Sequence, residues 1–232
     1  MRENLMLRLK TQTASEHRRL EASLDLMRKG MTLDDYGTVL QAMLGFIGPW
    51  EEAARSRLPS SLVTAFDARR KTGALRDDLR VLARLHEARP MMRIVNDRAR
   101  PYHDTQAAGV LSGASETHAT RASVPAFDST AAWLGSWYVI EGATLGGQIL
   151  APHFSEHFGL MPNSGVRYFS GYGPRTGSMW NAFRALLVEA IEPAAAEAAI
   201  DGARRTFVHL HQWLIAAGIA REVPVETMEG AG

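Results

Sequence analysis

The stretch Trp133–Pro152, WLGSWYVIEGATLGGQILAP, constrains this chain more than any other. Its apolar residues read as one helix, yet Gly135, Gly142, Gly146 and Gly147 interrupt the run. Each glycine in a helix interior costs about 1 kcal/mol relative to alanine, because a freer backbone has more to lose on folding. Several in one apolar helix imply that something approaches the backbone closely, or that the helix bends. Two readings stand side by side. A flat, bulky ligand could lie on this helix, or a neighbouring helix could pack hard against it.

Most of the remaining chain also reads as helix. Leu5, Leu9, Thr13, His17, Leu20 and Leu24 recur at three- and four-residue spacing, predicting a helix from about Glu3 to Arg28 with Gly30 as its cap. Thr32 with Asp35 forms a capping-box start for a second helix, which Gly45, Gly48 and Pro49 should bend before it ends near Leu58. Short helices follow around Leu62–Arg69 and Leu75–Ala88. From Arg89 to about Asp128 the periodicity fades, apart from a short helix near Met91–Ala99. A connection this long is uncommon in a compact domain, and part of it is expected to be mobile. After the glycine-bearing helix, which must restart beyond Pro152, two helices cover roughly Gly177–Ile191 and Ala194–Ala217. No strand alternation, internal repeat or domain linker stands out. The expectation is an all-α, single-domain helical bundle over residues 1–232.

Composition narrows the chemistry. The chain has no cysteine, which removes disulfides, thiolate catalysis, iron–sulfur clusters and cysteine zinc sites. Metal chemistry must therefore use histidine, carboxylates or a prosthetic group. A net charge of +1 gives no reason to expect nucleic acid or an anionic membrane as partner. The polar start MRENLMLRLKTQT lacks the apolar core of a signal peptide, and no run of about 18 apolar residues occurs, so the expected location is cytoplasmic.

Among the eight histidines, His17 has the most suggestive neighbours. Lys10, Thr13 and Glu21 share its helix face at spacings of seven and four. Glu21 can accept a hydrogen bond from one ring nitrogen, which orients the ring and strengthens the other nitrogen as a ligand. Lys10, about 10 Å away along the helix, could meet an anionic group of a bound molecule. The plain alternative is a half-buried histidine bonded to a glutamate on an ordinary amphipathic helix.

Two motifs together go further. LKTQTASEHRRLE fits LKxxTxxxHxxxE, and YVIEGATLGGQIL carries a glycine pair followed by Gln-hydrophobic-Leu. In that order the chain resembles the haem (heme) oxygenase family, most closely its bacterial biliverdin-producing members, as does the downstream FSGYGPRTGSMWNAF. The resemblance implies a bundle with haem held between a proximal helix and a kinked distal helix. It places His17 on the iron ligand, Glu21 on its hydrogen-bonding carboxylate, Lys10 on a cation meeting a haem propionate, and Thr13 on a haem contact. It places Gly142, Gly146 and Gly147 on the distal glycines whose backbone lies over the haem. Arg184 is the favoured second propionate partner, with Arg175 and Asn181 as alternatives. Mammalian-type members carry an acid after the first distal glycine. Here Ala143 stands in that position, leaving backbone carbonyls or Thr144 to hold distal water.

The activity so implied is cleavage of haem b, both cofactor and substrate, by O2 and reducing equivalents to biliverdin, CO and ferrous iron. A neutral histidine ligand lacks the strong electron push of a thiolate, and the protein's share of the work is placement. Partners implied are an electron donor (ferredoxin, flavodoxin, a reductase or a small reductant) and a bilin acceptor such as a phytochrome. A haem carrier, store or sensor of the same fold is the main rival. A remoter one is a zinc peptidase, since His153-Phe-Ser-Glu156-His157 fits H-x-x-E-H.

Overall fold

The structure is a computed structural model that describes residues 3–97 and 121–223. In chain order its helices are α1 (Glu3–Gln12), α2 (Ala14–Ser23), α3 (Leu33–Arg57), α4 (Ser60–Asp67), α5 (Thr72–Asp97), α6 (Thr130–Phe158), α7 (Arg167–Ser170), α8 (Thr176–Ala190) and α9 (Ala196–Ala216). Short 3₁₀ turns precede α8 and α9. The described residues form only isolated β-bridges, so the all-α expectation holds.

Where helices start and stop follows local chemistry. At the head of α3 the Thr32 hydroxyl accepts from the Asp35 amide at 3.0 Å, and the Asp35 carboxylate accepts from the Thr32 amide at 2.8 Å. The predicted helix from Glu3 to Arg28 is instead two helices broken at Thr13, and it ends at Ser23. The Thr13 hydroxyl donates back to the Leu9 carbonyl at 2.7 Å, a local bond that competes with helix continuation. Beyond Ser23 the chain pairs with its distant end: the Ser23 carbonyl accepts from the Arg221 amide at 3.0 Å, and Leu24 bridges Ala220. That pairing is invisible to local periodicity.

Helix α3 continues past Pro49 as predicted, whereas Pro90 and Pro152 prove less disruptive than expected. α3 runs through Pro49, whose missing amide frees the carbonyl four residues back, that of Gly45. The Ala122 amide, from the segment leading into α6, donates to that carbonyl at 3.0 Å. Helix α6 likewise runs through Pro152 to a left-handed Gly159, rather than restarting after it. Helix α5 continues through Pro90 to Asp97, longer than predicted. Of the irregular connection expected over 89–128, residues 121–129 are irregular as predicted, and residues 98–120 lie outside the described residues.

Helix α6 is the axis of the bundle. It packs along α9 and also meets α3, α7 and α8. Around it lies one core whose largest fully buried members include Trp50, Trp137, Tyr36, Phe46 and Phe183. Two glycines let α6 and α9 touch backbone to backbone. A Cβ on Gly135 would sit 1.7 Å from the Ala199 carbonyl oxygen, and one on Gly202 would sit 2.1 Å from that of Ala132. Beside this contact the Trp50 indole donates to the Ser136 hydroxyl at 2.8 Å, and the Ser136 and Thr206 hydroxyls lie 2.7 Å apart. The Asp78 carboxylate of α5, itself buried, accepts from the amides of Gly165, Arg167 and Tyr168 and so pins α7. Among the described residues no helix is long and apolar enough to cross a membrane.

Candidate functional site

The glycines of α6 divide into two sets. Gly135 is a packing glycine, as above, and so is Gly147: a Cβ there would lie 2.2 Å from the Phe169 carbonyl oxygen of α7. Gly146 differs. It is exposed, and a Cβ there would meet nothing within 4 Å. Gly142 meets only the rim of Trp180, at 3.8 Å. Ala143, Leu145 and Ile149 extend this uncovered part of α6. The close-packing reading is therefore realised at Gly135 and Gly147, whereas no neighbouring backbone approaches Gly142 or Gly146.

Position Gly142 adjoins α8. Trp180 stacks obliquely on Tyr138, with ring centroids 5.7 Å apart, and Arg184 follows one turn later. Burial pushes the Tyr138 phenol above its ordinary value, and the Arg184 guanidinium draws it part of the way back. Arg184 is exposed, so its charge is available at this edge of the bundle.

His17 sits on α2 with its side chain about half exposed. Its Nδ1 lies 3.2 Å from Glu21 Oε2, the pairing expected from the i,i+4 spacing. The ring meets Phe207 of α9 edge-on, with centroids 5.5 Å apart. Carboxylate and aromatic ring together fix the imidazole and leave Nε2 with no hydrogen-bond partner among the described residues. Lys10 is exposed in the last turn of α1. Helices α2 and α6 both pack on α9, and α1 packs on α8. Two expected residues behave differently. Thr13 is buried, with its hydroxyl committed to Leu9. Thr144 is also buried, donating to the Glu141 carbonyl at 2.7 Å and facing Gly171, away from the uncovered face.

Behind Gly142 lies a cluster that the motifs did not reveal. Glu141 is fully buried. Its carboxylate accepts from the Lys71 ammonium at 2.9 Å and from the Tyr172 hydroxyl at 2.7 Å, and Lys71 also donates to that hydroxyl at 2.6 Å. Arg69 Nε stands 3.6 Å from the same carboxylate, too far to hydrogen-bond. A second buried acid, Glu51 of α3, accepts from the backbone amide of Lys71, the hydroxyl of Thr72 and the side chain of Arg70. Burial pushes the Lys71 amine down against the pull of Glu141, and pushes the Tyr172 phenol up, so Tyr172 stays protonated and donates. The one available signal was Glu141 itself, a lone acid in an apolar run.

A family model described as heme oxygenase matches residues 3–216. The chain belongs to the heme oxygenase family. A heme oxygenase of Xanthomonas campestris pv. campestris (strain 8004) is 28% identical over 184 residues, covering 79% of this chain and 90% of that protein. The crystal structures of the NO- and CO-bound heme oxygenase from Neisseria meningitidis share the fold. The TM-score is 0.63 at 20% identity, with 98% of each chain covered. Membership favours turnover over a carrier role. The peptidase rival finds no support: His157 Nε2 is 2.9 Å from the Met31 carbonyl, and among the described residues no three His, Asp or Glu side chains converge as a metal site.

Proposed function

We propose that this heme oxygenase holds haem b between α2 and the uncovered face of α6, with His17 as iron ligand and Glu21 as the carboxylate that orients it. The observation that carries the assignment is the His17 geometry: Nδ1 is engaged by Glu21, the ring is braced by Phe207, and Nε2 is left over for a metal. A carboxylate on the far nitrogen raises the basicity of the near one and fixes its direction. Gly142 and Gly146 present bare backbone, so a flat macrocycle could approach α6 closely there, with only the rim of Trp180 beside Gly142. Gly147 contributes by docking α6 on α7, and Thr13 by shaping the α1–α2 corner. Lys10 and Arg184, both exposed cations, suit the two propionates.

Haem supplies the redox chemistry: with O2 and reducing equivalents its ring is opened to biliverdin with release of CO and ferrous iron. The chain's own residues bind, orient and shield. The electron donor is a ferredoxin, a flavodoxin, a reductase or a small reductant, and a phytochrome-type protein is a candidate acceptor for the bilin. A cytoplasmic, single-domain protein is the setting that fits this reading.

Haemin titration tests the assignment. The expected result is a 1:1 complex with a Soret band, and a changed iron-ligand spectrum in His17→Ala. An unchanged spectrum in that variant removes His17 from the role. With reductant in air the band should decay and a bilin appear. Intact haem after reduction favours the carrier reading.

A further inference from the structure

We infer that Glu141 is a positioning residue: its buried carboxylate fixes the roll of α6 about its own axis, and with it the placement of the bare backbone at Gly142 and Gly146. The inference concerns the site described above and rests on the haem-binding reading of that face.

Three observations lead to it. First, Glu141 is the residue before Gly142, and on a helix its side chain lies about 100° from Gly142 and about 140° from Gly146. It therefore points into the bundle while Gly146 faces outward and Gly142 stands between, in agreement with the full burial of Glu141, the exposure of Gly146 and the partial burial of Gly142. Second, its partners come from separate parts of the fold. Lys71 and Arg69 belong to the segment joining α4 to α5, and Tyr172 to the turn after α7. Glu51 of α3 holds that same segment through the Lys71 amide and Thr72. Third, the other contacts of α6 near this turn are of a different kind. Gly135 and Gly147 are close backbone contacts, and Ser136 is tied by neutral hydrogen bonds a turn and a half earlier.

Apolar packing limits how close two helices come but resists rotation weakly, whereas hydrogen bonds to a charged group are directional. A roll of about 15° carries an α-carbon, roughly 2.3 Å from the axis, through about 0.6 Å. Displacements approaching 1 Å at a reacting centre can change rates by about a hundredfold. A buried ion pair is a poor source of net stability compared with apolar residues, and its best-attested use is to select one arrangement among several. Here Glu141 faces the two buried cations, Arg69 and Lys71, while the neighbouring buried acid Glu51 takes Arg70, the Lys71 amide and Thr72.

The test compares Glu141→Gln, Lys71→Met and the charge-neutral double variant Lys71→Met/Glu141→Leu with wild type. Arg55→Met, which breaks the exposed Arg55–Asp67 pair, is the control for lost surface charge. In the haem-free protein, hydrogen exchange should rise about tenfold for amides 139–147, the scale set by one charged hydrogen bond, while α9 amides keep their protection. In haem complexes the His17 ligation spectrum should stay as in wild type while the ratio of biliverdin isomers shifts. The double variant should fold with near wild-type melting yet keep both changes, and Arg55→Met should show neither. Wild-type isomer ratios and local exchange in both Glu141 variants overturn the inference. So does an exchange increase spread evenly over all helices, which marks a merely structural role. If wild type itself turns over no haem, the haem reading fails, and the exchange measurement still decides whether Glu141 positions α6.

Discussion

Replacing Gly135 and Gly146 by alanine, one at a time, puts the same methyl group on the same helix with opposite expected signs. At Gly135 the new Cβ falls 1.7 Å from the Ala199 carbonyl oxygen, about 1.3 Å inside the 3.0 Å below which real Cβ contacts are essentially never found. The obstacle is backbone of α9, so no rotamer change relieves it. The helices must separate, and that also loosens the reciprocal Gly202 contact with Ala132. Overpacking of this kind costs roughly 1–3 kcal/mol, sometimes more, and the better helix propensity of alanine returns at most about 1 kcal/mol. A net loss of about 1 kcal/mol or more follows, or at least about 2–4 °C in Tm for a chain of this size. At Gly146 the Cβ meets nothing, and propensity acts alone, giving a gain of about 0.4–1 kcal/mol in the haem-free protein. The same methyl then stands on the proposed haem face, so Gly146→Ala should bind haemin more weakly even as it melts higher. Urea and thermal melts followed by far-UV circular dichroism, with a haemin titration, read all three quantities. A Gly135→Ala protein as stable as wild type, or a destabilised Gly146→Ala, would falsify the division of the glycines into packing and open sets.

Other consequences are simpler to check. Glu21→Gln keeps the shape beside His17 but removes the charge, so the iron–histidine stretching frequency of the ferrous complex should fall; an unchanged frequency means that Glu21 does not tune the ligand. Asp78→Asn turns an acceptor of three backbone amides into a group with one accepting oxygen, and should cost roughly 2–4 kcal/mol in a urea melt. The Asp35 carboxyl is held below its ordinary 3.8, first by the Thr32 amide, so the stability it contributes is present above that value and lost as pH falls through the lower folded-state value. Asp35→Asn should accordingly be less stable than wild type at pH 7, with the gap closing in acid. A gap independent of pH contradicts the capping role. Lys10→Ala and Arg184→Ala should each weaken haemin binding and make it less sensitive to salt, and salt sensitivity equal to wild type in both removes them as propionate partners.

Much of this protein was legible in one dimension because its helices are amphipathic and its key groups sit close together in sequence. The capping box at Thr32 and Asp35, the His17–Glu21 pair and the extents of α8 and α9 all depend on neighbours within a few residues, and the structure has them as the sequence predicts. Helix α3 continues through Pro49 as the sequence predicts, but the partner of the freed Gly45 carbonyl is Ala122, more than seventy residues away. The end of α2 at Ser23 likewise depended on the chain near Ala220.

The glycines show the boundary most clearly. Sequence alone determined that α6 carries more glycine than an apolar helix tolerates without cause, and that His17 and Glu21 share one helix face. Only the tertiary structure separated them: Gly135 and Gly147 meet neighbouring backbone, while Gly146 meets nothing and Gly142 only the rim of Trp180. It alone also showed that Glu141, the single acid in that run, is buried against Lys71 and Tyr172. A helix's periodicity fixes which residues share a face. What covers that face is decided by chain segments far away in sequence, brought there by the packing of the whole bundle.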